Sequence, residues 1–371
     1  MIDLLEHCVR IPSLSGQEQA VAEFLRDQMQ ARGFTRAFID EAGNAVGVIG
    51  DGARQLVMLG HMDTVGGDVP VRYEEGNLYG RGTVDAKGPL CAFVLAGERI
   101  AAWLRQDAPP EATDWQIVVV GATEEETATS RGARFAAQQY RPELCIIGEP
   151  SGVNGITLGY KGRLLVEARF EMPARHSAVP APGVNEIAVH LWNWIDARAR
   201  AWNADKPKAF EQITPSLRSI CSGADGLREW CEVLIGFRLP VEFGPDAMIS
   251  EIDRWLIDSP FGNRDDFAEF VYSGAEQAWR ASKDTPLARA FVDAIRAEGL
   301  RPAFKYKTGT ADFNVVGPAW NVPIVAYGPG DSSLDHTPDE HIAIAEFEQS
   351  VRVLERVLRR IIGRVAESTT T

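Results

Sequence analysis

Three short apolar runs, at residues 55–59, 116–120 and 144–147, each end in a cluster of small, acidic or metal-binding residues. The runs are continuous rather than alternating, so each predicts a strand covered on both faces, as in a central sheet flanked by helices. The clusters are Gly60-His61-Met62-Asp63, Thr123-Glu124-Glu125-Glu126 and Gly148-Glu149-Pro150. Ligands of open α/β sheets bind beyond the carboxyl ends of the strands, so the clusters predict a site at one sheet edge.

Around this sheet the pattern predicts helices. Ser15 and Glu18 are spaced as a capping box ahead of a periodic segment with Ala20, Phe24, Leu25 and Met29, and a helix should end near Gly33. From Arg163 the texture changes: Val166, Ala168 and Phe170 alternate with Glu167, Arg169 and Glu171, as in a half-exposed antiparallel strand. A helix over 184–202, strands over 213–221 and 232–239, a helix over 245–257 and a strand over 267–272 follow. The order β-α-β-β-α-β predicts a ferredoxin-like unit. The α/β texture resumes at Thr285-Pro286, a helix cap followed by proline at the first helical position, and runs on through a strand over 324–327 and a helix over 343–362. The expected organisation is an α/β catalytic domain with a central mixed sheet, built from residues 1–162 and 276–371, with a ferredoxin-like α+β domain inserted at 163–275.

Composition narrows the function. A length of 371 residues with 45% hydrophobic residues allows two domains. The net charge of −14 opposes phosphate binding, which excludes nucleic acid as the expected partner. No apolar run approaches the ~20 residues that span a bilayer, and the N-terminus lacks a signal-peptide pattern. Five widely spaced cysteines read as reduced core residues. A soluble cytoplasmic protein is expected.

His61, Asp85, Glu125, Glu126, Glu149 and His336 lie just past strands or in glycine-rich loops, and all are types that bind zinc or move protons. A lone histidine is usually a satisfied polar residue, and a run of glutamates usually a solvated helix end. Carboxylates gathered at one sheet edge, however, repel and raise one another's pKa unless a cation neutralises them, which points to a dinuclear metal site.

These residues sit in motifs that resemble a known family. The motifs are Gly60-His61-Met62-Asp63-Thr64-Val65, Gly80-Arg81-Gly82-Thr83-Val84-Asp85-Ala86-Lys87-Gly88, the glutamate run, Gly148-Glu149-Pro150-Ser151 and His336-Thr337-Pro338-Asp339-Glu340. The chain is similar over nearly its whole length to the di-zinc family of aminoacylases, carboxypeptidase G and succinyl-diaminopimelate desuccinylases, whose fold is zinc-exopeptidase-like with an inserted dimerisation or lid domain. The resemblance implies two zinc ions, with cobalt able to substitute: Asp85 bridges them, His61 and Glu149 complete one, Glu126 and His336 the other. Asp63 would orient His61, and Glu125 would be the general base. Three consecutive glutamates leave the register open by one. Glu125 and Glu126 are chosen because their spacing to Arg131-Gly132-Ala133 fits the desuccinylase pattern, with Glu124 where that family has aspartate. Arg175-His176-Ser177-Ala178-Val179-Pro180 resembles the segment whose histidine reaches the partner subunit's site, which implies a homodimer and a catalytic His176. Arg238, Thr310 and Asn314 are the implied substrate contacts.

The runs 305–314, 148–163 and 327–331 look closest to one branch, the carrier-protein lysine or ornithine hydrolases of the aminoadipate route to lysine, with arginine biosynthesis a second setting. The implied substrate is an amino-group carrier protein whose terminal glutamate holds lysine through its side-chain carboxyl. Lys161, Arg163, Lys305 and Lys307 could meet an acidic carrier. The alternatives are a deacylase acting on small acylated amino acids (acetylornithine, acetyl-lysine or succinyl-diaminopimelate), a metallocarboxypeptidase or dipeptidase, and a catalytically silent dimeric carrier-binding scaffold. The last would be favoured by loss of a ligand or of the base, and neither is lost.

Overall fold

The computed structural model describes residues 1–363 apart from 177, 179, 259, 260 and 262–266. Ser177 and Val179 of the segment around His176, and the polar tail after residue 363, lie outside the described residues. The chain forms two compact units. The first comprises Met1–Gly159, Ala281–Tyr306 and the described residues from Ala311 onward; the second comprises Tyr160–Arg280 and Lys307–Thr310.

The first unit is built on a mixed sheet. Strands Arg54–His61, Trp115–Ala122, Leu144–Gly148 and Ile324–Ala326 run parallel at its centre, in the order Trp115–Ala122, Arg54–His61, Leu144–Gly148, Ile324–Ala326. Ala45–Ile49 and Arg36–Ile39 extend it antiparallel on one side, and Gly155–Tyr160 on the other. The apolar runs at 55–59, 116–120 and 144–147 are therefore its centre. Leu56, Val57, Met58, Val118, Val119 and Ile146 are fully buried, because helices cover both faces. Helix Lys87–Gln106 is buried along most of its first four turns. Helix Ile344–Ile362 buries Phe347, Val351, Leu354 and Leu358 at helical spacing. Helix Pro286–Ala297 starts as its sequence predicts, with the Thr285 hydroxyl accepting the Ala288 N–H at 3.1 Å.

The second unit is a four-stranded antiparallel sheet ordered Thr214–Ala224, Arg228–Leu239, Gly162–Pro173, Ala268–Glu276, with helices Val184–Asn203 and Pro245–Ile257. This is the ferredoxin-like order. Its core joins Leu164, Val166 and Phe170 to Ile187, Leu191, Ile235, Phe237 and Ile252. Strand Thr214–Ala224 lies at the edge of the sheet and is exposed along most of its length, including Leu217 and Ile220.

The capping box expected from Ser15 and Glu18 does not form. Helix Gln19–Ala31 begins without a side-chain cap. The Ser15 hydroxyl donates to Asp63 Oδ2 at 2.7 Å, and Glu18 Oε1 accepts the N–H groups of Gly16 and Glu124. Partners remote in sequence outcompete the local cap.

Of the basic residues expected to face a carrier, Lys161 has a local role instead. Lys161 is fully buried, and its ammonium donates to the carbonyls of Ala209 and Gln212 and to the Thr214 hydroxyl. Lys305 donates to the Ser151 carbonyl at 2.6 Å. Long basic side chains beside buried carbonyls satisfy those carbonyls first.

Candidate metal centre

Parallel register brings the predicted clusters to one edge of the first unit. His61 pairs with Ala122, and Gly60 with both Gly121 and Gly148, so the three strands end level. His61 closes the first strand, Glu149 follows Gly148 directly, and Glu124, Glu125 and Glu126 occupy the turn after Ala122. Asp85 stands in the loop before helix Lys87–Gln106, and His336 in the loop after Ile324–Ala326.

Asp85 lies between the two histidines. Its Oδ1 is 3.2 Å from His61 Nε2 and its Oδ2 is 3.0 Å from His336 Nε2. His336 Nε2 is also 3.0 Å from Glu126 Oε1, while Glu149 Oε1 and Glu125 Oε2 approach His61 Nε2 to 3.8 and 3.9 Å. Ligand atoms of His61, Asp85 and Glu126 all lie within 4.8 Å of one another. Imidazole nitrogens and carboxylate oxygens are the donors divalent zinc takes, and a carboxylate with one oxygen facing each side suits two ions.

Asp63 orders the surroundings. It is fully buried, its Oδ1 accepts the Glu125 N–H at 3.1 Å, and its Oδ2 accepts the Glu126 N–H at 3.0 Å and the Ser15 hydroxyl. Its Oδ1 also lies 3.3 Å from His61 Nδ1. A carboxylate behind a ligating histidine fixes the ring and leaves its other nitrogen facing the site. Burial alone would raise the Asp63 carboxyl; His61, Ser15 and the Glu126 N–H outweigh it and hold the group below its usual range.

The three glutamates face different ways. Glu124 has φ 58, in the left-handed region that non-glycine residues enter rarely. Its carboxylate accepts from Thr129 at 2.6 Å and lies 3.6 Å from Arg131, away from the histidines. Glu125 turns to His61 and Glu126 to His336. Gly132 sets this turn: its N–H donates to the Thr123 carbonyl at 3.0 Å, and a Cβ there would stand 2.4 Å from the Thr123 nitrogen. His336, with φ 62, is also left-handed, and such residues gather at functional sites.

The charge distribution asks for a cation. Burial drives Glu125 well above the usual carboxylate range; His61 opposes this, while Glu149, Asp312 and Glu126 add to it. Bonds to Asp85 and Glu126 raise His336 to about 10. Asp312, fully buried, is raised to about 8 by burial and by Asp63 and Glu149 against the pull of His61.

The remaining candidates lie elsewhere. Asn314 is buried in the first unit, where its Oδ1 accepts the Ala311 N–H at 3.0 Å. Arg238 and Thr310 meet at 2.6 Å inside the second unit. His176 is exposed, in the second unit, and its Nδ1 accepts the Ala178 N–H at 3.1 Å. That bond puts the proton of a neutral ring on Nε2, so His176 presents a hydrogen-bond donor.

Ser15, Glu18, Asp312 and Glu340 stand close behind the site, yet sequence reasoning assigned none of them a role there. Ser15 and Glu18 were hidden by a plausible local pairing. Glu340 was visible only as the end of the motif begun by His336.

The model of "Peptidase family M20/M25/M40" matches residues 57–360. A protein of Deinococcus radiodurans named LysW-lysine hydrolase is 45% identical over 370 residues, covering 97% of each chain. Among solved structures, a metallo-carboxypeptidase of the same family from Sulfolobus solfataricus superposes with a TM-score of 0.74 at 17% identity, over 97% of this chain and 99% of that one. An aminopeptidase from Bacillus cereus gives 0.75 at 16%, over 97% of both. The last two are similar in fold. Among the described residues no helix is long and apolar enough to cross a membrane.

Proposed function

The chain belongs to peptidase family M20/M25/M40 and is a hydrolase of amide bonds, and on that premise we propose that it releases L-lysine, or L-ornithine, from the side-chain carboxyl of the terminal glutamate of an amino-group carrier protein. The similarity to the Deinococcus radiodurans protein across nearly both full lengths supports this substrate. The observation that carries the reaction is Asp85, with one oxygen toward His61 and the other toward His336. In this reading His61 and Glu149 would hold one zinc ion, Glu126 and His336 would hold a second, and Asp85 would serve both, with cobalt able to replace zinc. When bound, the pair would polarise the scissile carbonyl and acidify the attacking water.

The chain's own residues do the rest. Glu125, not needed as a ligand and held in place by its N–H on Asp63, takes the proton from the water and returns it to the departing α-amino nitrogen. Asp63 keeps His61 and the Glu125-Glu126 turn in register. His176 donates from Nε2 to the oxygen of the tetrahedral intermediate, and Arg238 and Thr310 bind the carboxylate of the substrate.

The same reading makes the protein a cytoplasmic homodimer. The exposed edge strand Thr214–Ala224 supports a second copy there, since an uncovered edge with Leu217 and Ile220 outward invites pairing. All five cysteines are unbridged, which suits a reducing compartment.

The test is parallel incubation of the zinc-loaded protein with a γ-glutamyl-lysine carrier peptide, acetylornithine and succinyl-diaminopimelate. Release of lysine from the first should dominate. Preference for either small substrate would move the protein to the deacylase reading, and no hydrolysis of any would favour the silent scaffold.

A further inference from the structure

We propose that Glu340 is a positioning residue that sets Asp85 between the two histidines. Its carboxylate is fully buried. Oε1 accepts three backbone N–H groups, from Gly82 at 2.9 Å, Val84 at 2.9 Å and Asp85 itself at 3.1 Å. Oε2 accepts from Arg81 Nη1 at 2.7 Å, and the Glu340 carbonyl accepts the Gly80 N–H at 3.2 Å. Arg81 in turn donates to the Gly67 carbonyl at 3.0 Å, beyond the His61 strand.

This arrangement wraps the loop that ends in Asp85 around one anion. Converging backbone N–H groups form a concave anion site, and a buried charge is tolerated only when such donors surround it. The donors belong to the loop of Asp85, whereas the anion follows His336 by four residues on a loop far off in sequence: 255 residues separate Asp85 from Glu340. Glu340 therefore ties the two halves of the candidate centre to each other. With the Asp85 N–H anchored, the Asp85 side chain starts from a fixed backbone, and its two oxygens can face opposite histidines. A neutral amide cannot replace this carboxylate. Glutamine could turn its oxygen to the three N–H groups only by pointing its NH2 at the Arg81 guanidinium, donor against donor.

The inference rests on the proposed metal centre and is tested by cobalt titration of metal-free protein, followed by visible absorption alongside circular dichroism and thermal melting. Wild type should take up two equivalents; a wild-type protein that takes up none would fail the reading of the centre, not that of Glu340. Glu340→Gln should keep its fold while cobalt affinity falls ~10–100-fold, the usual effect of removing a group that supports a ligand, and its cobalt spectrum should differ from wild type. Glu340→Asp, which keeps the charge with a shorter reach, should fall between the two. If Glu340→Gln folds and binds cobalt with wild-type affinity and spectrum, whatever its melting temperature, the inference is wrong. If Glu340→Gln does not fold, Glu340→Asp decides: weakened cobalt binding supports the role, and unchanged binding overturns it.

Discussion

His336 Nε2 lies 3.0 Å from Glu126 Oε1, across a sequence separation of 210 residues. The bonds to Asp85 and Glu126 raise His336 to about 10, so in metal-free protein this imidazole is charged at neutral pH.

That charge makes metal uptake a proton exchange. A histidine raised above its ordinary value keeps its proton until pH approaches the higher value, so a metal must displace it, and affinity should strengthen as pH rises from 6 toward 9. We expect about two zinc or cobalt equivalents per chain, proton release on loading, and loss of turnover on chelation. Elemental analysis that finds active protein without metal would end this reading. Calorimetry in buffers of different ionisation enthalpy measures the protons.

Glu125→Gln should retain the metal and lose activity by at least ~10²–10⁴, the range for general acid-base catalysis. Glu124 faces Thr129 and Arg131, so Glu124→Gln should leave turnover near wild type. The opposite result, an active Glu125→Gln and an inactive Glu124→Gln that still binds metal, would shift the register by one residue.

His176 belongs to the second unit and the proposed metal ligands to the first. If it acts across a dimer, His176→Ala should lower kcat far more than it weakens substrate or metal binding. Mixing inactive His176→Ala with inactive Glu125→Gln under subunit exchange should restore up to about half a site per chain, because each heterodimer holds one site with an intact base and an intact donor. Heterodimers that form and stay inactive place His176 within its own chain.

Lys161 is lowered to about 8 by burial, with Arg238 adding repulsion. Its unfolded value is about 10.4, so between about 8 and 10.4 the unfolded chain binds more protons and stability should rise with pH in that window. Lys161→Met removes this contribution. At pH 7 it leaves the Ala209 and Gln212 carbonyls without their ammonium partner, which should cost about 1–3 kcal/mol. Urea unfolding at pH 7 and 9.5 gives both quantities; a variant with wild-type pH dependence would contradict the Lys161 assignment.

Much of this protein was legible in one dimension. Continuous apolar runs mark buried central strands whatever lies around them, since a strand covered on both faces has no polar side to show. Alternation from Arg163 onward, and the cap and proline at Thr285-Pro286, are equally local signals, and the ferredoxin-like order and the helix Pro286–Ala297 follow them. Chemically, His61, Asp85, the glutamate run, Glu149 and His336 were visible only as a set, because each alone has commoner uses while carboxylates gathered at one sheet edge call for a neutralising cation.

What tertiary structure alone decided is which partner each polar group takes. Ser15 and Glu18 have the spacing of a helix cap, yet Asp63 and the Glu124 N–H claim them. Lys161 reads as surface charge and is turned inward by carbonyls from a distant segment. Glu340 reads as the tail of a motif and holds a loop 255 residues away. Secondary structure follows from the periodicity of neighbours, which sequence displays. Buried hydrogen bonds follow from the requirement that every desolvated donor and acceptor find a partner, and only the folded chain determines which ones come within reach.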